Sequence, residues 1–142
     1  MTRIELIARA VIRKGDRILL AHKKGEPNTF LPGGHIEPKE YAEEALRREL
    51  HEELGVKAMT GDFVGILEHK FTDEHDMYHE EMNLIFETSI DSEIVASSEK
   101  HLEFIWVKPM DFEKQMLLPS SLQWLLPEYF ENGVPFHYVQ RV

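Results

Sequence analysis

The sequence predicts an α/β fold of the α+β kind, an α/β/α sandwich with a mixed central β-sheet covered by helices on both faces. Three observations predict it. Strand-like segments precede and follow one strong amphipathic helix, and the chain closes on further helical pattern. With 42% hydrophobic residues among 142, the chain can also bury a sizeable core. The length favours a single domain over residues 1–142.

Each element follows from local pattern. Ile4, Leu6, Ala8, Ala10 and Ile12 alternate with Glu5, Ile7, Arg9, Val11 and Arg13, which is strand periodicity. Lys14-Gly15-Asp16-Arg17 reads as a hairpin turn and Ile18–His22 as its return strand. Lys23–Asn28 is a polar loop, and Thr29-Phe30-Leu31 a short extended piece stopped by Pro32-Gly33-Gly34. Pro38–Leu54 is the clearest helix, acidic in its early turns, apolar at Ala42, Leu46, Leu50 and Leu54, and ended by Gly55. Val56–Met59 and Phe63–Lys70 are strands around a Thr60-Gly61-Asp62 turn, and Asn83–Ile90 and Leu102–Val107 are further strands. Helices are expected over Pro109–Gln115, opened by Pro109, and over Ser120–Phe130, capped by Ser120 or Ser121. The aromatic tail after Gly133 carries no assigned element.

Charge narrows the function. The net charge of −10 makes nucleic acid and anionic membranes poor partners, since both call for clustered Lys and Arg. The absence of cysteine excludes disulfides, thiolate metal sites and cysteine nucleophiles. No signal-peptide layout or run of apolar residues long enough to cross a membrane is present, so a cytoplasmic location is expected. The negative charge is concentrated in two stretches. Gly33–Val56 carries seven carboxylates against three bases, and Asp73–Glu81 carries five with no Lys or Arg. The second stretch reads as a flexible, solvent-facing loop.

The first stretch has a geometry. Glu49, Glu52 and Glu53, at i, i+3 and i+4, share one helix face at the edge of the apolar stripe. Like charges so placed repel, and a divalent cation removes that cost. Oxygen-only ligands select hard ions such as Mg²⁺ or Mn²⁺. Pro32-Gly33-Gly34 permits a tight turn whose amides could receive anionic oxygens, and Arg48 can orient its neighbour Glu49. A phosphate-bearing substrate suits such a corner, with the ions between the two sets of anions.

Gly34, Glu40, Arg48, Glu49, Leu50, Glu52, Glu53, Gly55 and Val56 stand at the nine fixed positions of the Nudix box, so the segment resembles the signature of the Nudix hydrolases. Leu31-Pro32-Gly33 and Glu37 are similar to the family's flanking residues. The resemblance implies the Nudix-type α/β/α sandwich and metal-dependent hydrolysis of a nucleoside diphosphate linked to another group. It implies that Glu49, Glu52 and Glu53 ligate Mg²⁺ or Mn²⁺, and that one carboxylate helps deprotonate the attacking water. Arg48 would orient Glu49, Glu40 would support the loop or the metal's surroundings, and Gly33 and Gly34 would supply a ligating carbonyl or close the loop. A further carboxylate enters similar proteins ahead of the last core strand; Glu99 sits there, with Glu80 and Glu81 as rivals. A homodimer is implied only because many similar proteins form one.

Arg9, Lys23 and Lys24 are the bases placed to meet substrate phosphates, with a plain surface role the alternative for the lysines. Phe30, Phe71, Tyr78 and Trp106 either stack on a base or pack in the core. His69, His75, His79 and His101 show no zinc spacing, and His35 and His51 fill variable box positions. The proline typical of ADP-ribose hydrolases and the tyrosine typical of dinucleoside-polyphosphate hydrolases are not in place. A compact MutT-like pyrophosphohydrolase acting on a (d)NTP or related small nucleotide is the resulting expectation. The alternatives are an ADP-ribose or nucleotide-sugar pyrophosphatase and a non-catalytic nucleotide-binding module on the same fold.

Overall fold

The computed structural model describes residues 3–92 and 95–141. Two sheets organise them. The larger contains β1 (Ile4–Val11), β5 (Gly33–His35), β6 (Ala58–Thr72), β7 (Tyr78–Ile90) and β9 (Phe136–Gln140), in the order β5-β1-β7-β6-β9. β1 runs parallel to β7, and β9 parallel to β6, while β5–β1 and β6–β7 are antiparallel, so the sheet is mixed as expected. The smaller sheet is built on β3 (Arg17–Lys23), flanked by β8 (Leu102–Val107) and by the short β2 (Arg13–Lys14) and β4 (Thr29–Phe30).

The alternation along β1 separates two cores. Ala8, Ala10 and Ile12 pack with Leu46, Leu50 and Leu54 of α1 (Ala42–Leu54). Val11 on the opposite face joins Leu67, Ile85 and the Leu122, Leu125, Leu126 and Tyr129 side chains of α2 (Leu122–Asn132). Helices therefore cover both faces of the sheet. Leu46 and Leu50 are fully buried, each stabilising the packing by roughly 1.5–3 kcal/mol.

Several local expectations are corrected by tertiary pairing. The Lys14–Arg17 hairpin turn is present, with Ile18 paired to Arg13 and the Leu19 amide donating to the Ile12 carbonyl, but beyond it β3 leaves β1, which already has β5 and β7 as neighbours, and pairs with β8. The central helix starts at Ala42 rather than Pro38, since Lys39 takes a positive φ of 70° and the Glu40 amide closes a turn on Glu37. Thr60-Gly61-Asp62 is not a turn. β6 continues through it with register shifts, because β7 pairs along its whole length and the bulge absorbs the extra residues.

The Asp73–Glu81 run is a loop only as far as Met77; Tyr78–Glu81 belong to β7. The expected Pro109–Gln115 helix is a single 3₁₀ turn over Pro109–Asp111, after which the chain turns through Met116 at φ 49°. Neither serine caps α2 by its side chain. Ser121 Oγ donates instead to Gln140 Oε1 at 2.6 Å, tying the helix start to the tail. That tail is β9, whose backbone passes so close to Gly65 that a Cβ there would lie 2.6 Å from the Phe136 carbonyl oxygen.

Candidate active site

The β5 turn and α1 meet over Glu49. Gly33 sits at φ 137°, and a Cβ on it would collide with the Ala8 carbonyl oxygen. A Cβ on Gly34 would lie 2.5 Å from Glu49 Cδ. The two glycines thus let the turn press against β1 on one side and the Glu49 carboxylate on the other.

Arg48 fixes this arrangement. Its Nε and Nη2 donate to the Glu40 carboxylate at 2.8 and 3.0 Å, Nη2 also donates to the His35 carbonyl at 3.0 Å, and Nη1 donates to Glu49 Oε1 at 3.0 Å. Nη1 lies 3.5 Å from Glu52 as well. Glu40 in turn accepts from the Glu37 amide at 2.9 Å. These bonds, Arg48 first, hold the Glu40 carboxyl down at about 2, and the same pairing raises Arg48 further into permanent charge.

Glu53 is the opposite case. It is 7% exposed, and its Oε2 is the one buried side-chain oxygen or nitrogen without a hydrogen-bond partner among the described residues. Burial pushes its carboxyl up to about 8, and the charges of Glu49 and Glu99 push in the same direction; Arg9 and the Gly33 amide oppose them. The charge of Glu99 thus reaches Glu53 from the loop ahead of β8. The Ser98 amide donates to the Glu53 carbonyl at 2.7 Å, anchoring that loop to the end of α1, and Ser97 Oγ binds the Glu99 backbone.

Arg9 of β1 is also brought in. It donates to the Leu31 carbonyl at 3.0 Å, and burial lowers its pKa against the raising charges of Glu81, Glu53 and Glu49. Lys23 and Lys24 are exposed beside His101 and Leu102, at the foot of the Glu99 loop, and make no ion pair among the described residues. Gly55, at φ 67°, ends α1 by donating its amide to the His51 carbonyl.

The rivals to Glu99 take other roles. Glu80 and Glu81 point to opposite faces of β7. Glu81, Glu5 and His79 bring one ligand atom each within 4.8 Å. Both ring nitrogens of His79 are already hydrogen-bonded to carboxylates, Glu5 at 2.8 Å and Asp73 at 2.7 Å, so no imidazole lone pair remains for an ion. Phe71 is stacked between His69 and His79, Trp106 lies under Lys14, Tyr78 is half exposed, and Phe30 lines a cleft beside Arg9. Two groups of this corner were not singled out from sequence. The His35 carbonyl carries no sequence signal, whereas Asn83, a polar residue within an apolar strand, does; it is 3% exposed.

The donor set fits a hard divalent ion. Glu49 and Glu52 both lie against the Arg48 guanidinium, the charge of Glu49 acts on Glu53, one buried Glu53 oxygen has no donor, and the chain has no cysteine to compete. A mixed sheet between two helices, with an arginine-tied glutamate helix against a double-glycine turn, defines an α/β/α sandwich with an acidic corner. A sequence profile of the NUDIX domain matches residues 4–126, and the chain belongs to the Nudix hydrolase family.

Among its relatives, the chain is 40% identical over 68 residues to the CTP pyrophosphohydrolase of Escherichia coli (strain K12), covering 45% of this chain and 50% of that one. It is 34% identical over 89 residues to the nucleoside triphosphatase NudI of Escherichia fergusonii, covering 57% and 62%. The chain thus spans less than two thirds of the length of these curated relatives. The crystal structure of a MutT protein from Methanosarcina mazei Go1 shares the fold with a TM-score of 0.76 at 22% identity, over 93% of this chain and 96% of that one. No helix is long and apolar enough to cross a membrane among the described residues.

Proposed function

We propose that this chain is a divalent-metal-dependent pyrophosphohydrolase that cleaves a nucleoside diphosphate linked to another group, with a (d)NTP or related small nucleotide as substrate. The observation that carries the reading is the donor-less, buried Glu53 oxygen, set among carboxylates that Arg48 and Gly33-Gly34 hold in place. An acceptor buried without a partner costs about 1–3 kcal/mol, a cost that bound Mg²⁺ or Mn²⁺ offsets. The ion would be held by Glu49, Glu52 and Glu53 with the Gly33 carbonyl beside them. When bound it neutralises phosphate charge and acidifies water.

The chain's own groups do the rest. Arg48 keeps Glu49 turned toward the site, and Glu40 keeps Arg48 in place. Water attacks phosphorus, the phosphoanhydride P–O bond breaks, and the water proton passes to a carboxylate. Glu52 and Glu99 would accept it, a reading supported by both reaching solvent while Glu53 does not. Arg9, Lys23 and Lys24 offset phosphate charge. The names of the CTP pyrophosphohydrolase and nucleoside triphosphatase relatives support a nucleoside triphosphate. A panel of nucleotides assayed for phosphate or pyrophosphate release, with and without Mg²⁺, tests the reading. Metal-dependent release from at least one triphosphate is expected. Tight nucleotide binding with no release across the panel would favour the non-catalytic module.

A further inference from the structure

Resting on the nucleotide reading above, we infer that Glu81 is a specificity-determining residue that reads the donor edge of a guanine-type base. Glu81 stands on β7 beside Glu5 of β1, whereas Glu49, Glu52 and Glu53 stand on α1. Arg9 of β1 feels the charges of Glu81, Glu53 and Glu49 and so links the two. With Glu99 proposed above as the carboxylate outside the helix, Glu81 has no part in the proposed chemistry.

Its surroundings state what it can bind. Glu81 lines a narrow slot with Arg9 and Asn83, walled by Phe30, Leu118 and Pro119. Among the described residues its hydrogen-bond donor is Asn83 Nδ2 alone, at 3.5 Å, and that amide is shared with the Leu67 carbonyl at 3.4 Å. Both contacts are at the limit of hydrogen-bonding distance. A half-buried carboxylate with so little donation calls for donors from a ligand. The slot holds about 30 Å³, room for about two water-sized groups and not for a sugar.

Two adjacent donors in one plane are what such a slot and a two-oxygen acceptor select. Guanine offers a ring N–H beside an amino group, and Asn83 supplies a donor for the neighbouring carbonyl. Uracil and thymine place a single N–H between two carbonyl oxygens that the carboxylate repels. Adenine and cytosine put an acceptor beside their amino group. The flat Phe30 ring suits an aromatic neighbour.

The test compares GTP, ITP and UTP with Mg²⁺, by kcat/KM and by calorimetric affinity, in the wild type and in Glu81→Gln. ITP keeps the ring N–H and lacks only the amino group. GTP is expected to exceed ITP by about ten-fold or more, and UTP by more still, and Glu81→Gln is expected to bring the GTP-to-ITP ratio near one. Equal wild-type values for GTP and ITP would overturn the inference without needing the variant to fold. So would a variant that lowers GTP and ITP by the same factor, which would move Glu81 into the chemical step. If nothing is hydrolysed but GTP still binds more tightly than ITP in a Glu81-dependent way, the hydrolase reading fails and this one stands.

Discussion

Two acidic regions of this chain have opposite physics. At the β6–β7 tip, Asp73 accepts from the His75 and Met77 amides and from His79, and its carboxyl is driven down to about 2. At the α1–β5 corner, Glu53 is buried beside other carboxylates and driven up to about 8. One cluster brings its own cations and amides; the other leaves an acceptor without a partner. The first completes itself, and the second waits for a ligand. Charge count alone does not distinguish them, whereas the supply of donors does.

The sharpest way to break the contrast is Glu53→Gln. Removing that carboxylate is expected to lower kcat by about 10³-fold or more while the melting temperature without metal stays level or rises, because a strained buried acid is replaced by a neutral amide. Steady-state rates and a thermal melt check it together. A variant that turns over like the wild type removes the helix face from catalysis.

Next in size is Gly34→Ala. The added methyl would meet the Glu49 carboxylate at 2.5 Å, so that carboxylate must move. A shift of this kind is expected to cost about 10²-fold in kcat and to raise the Mg²⁺ concentration needed for half-maximal activity by about ten-fold or more. An unchanged Mg²⁺ requirement would show that Glu49 does not depend on the glycine turn.

Stability against pH reads the same contrast without turnover. Glu53 has its folded pKa, about 8, above the ordinary 4.5, so the folded state binds the extra proton between these values. Its contribution is therefore full below about pH 4.5 and is lost as pH rises towards 8. In metal-free protein, stability should fall over that window, and Mg²⁺ should flatten the fall by binding the ionised form. His79, raised by Asp73 and Glu5, adds a loss of the same sign above pH 6.5. Denaturant titrations of Glu53→Gln and His79→Gln separate the two: the first should erase the slope below pH 6.5, the second only part of it above. Asp73 has the reverse sign, since its contribution is present above 3.8 and lost as pH falls through about 2.

How much of this was legible in the sequence follows the range of each interaction. The glutamate face of α1 was readable because i, i+3 and i+4 are neighbours on any helix, and the Leu102–Val107 strand because its pattern is local. The start of α1 was misplaced because Glu40, a fair helix former, is held back by Arg48 eight residues on. Gly61 looked like a turn because nothing nearby says that β7 will pair straight past it. β9 was missed since a parallel edge strand is defined by its partner; the signal was Gly65, a glycine inside a strand where another backbone comes close. Within the site, Glu99 was placed by resemblance, and Ser98 bonded to the Glu53 carbonyl explains why it arrives. That Arg9 would be shared by two acidic environments is a property of β1 lying between β5 and β7, which no local pattern records.

The smallest expected effect completes the comparison. Asp73→Asn keeps the shape of the tip but weakens acceptance from two amides and removes the charge opposite His79. Because the tip is solvated and its bonds are local, the melting temperature should drop by only about 2 °C near neutral pH, and turnover should stay within about twofold. The His79 pKa should fall once its first carboxylate partner is neutral, which an NMR titration of the ring protons would record. A large loss of kcat in Asp73→Asn would mean that the two acidic regions are mechanically joined. Glu5 offers a route for that, bonded to His79 on one oxygen and to His35 of β5 on the other. His35 is mostly solvent-exposed there, and the β1–β5 ladder already holds the same backbone, so little force should pass along this route.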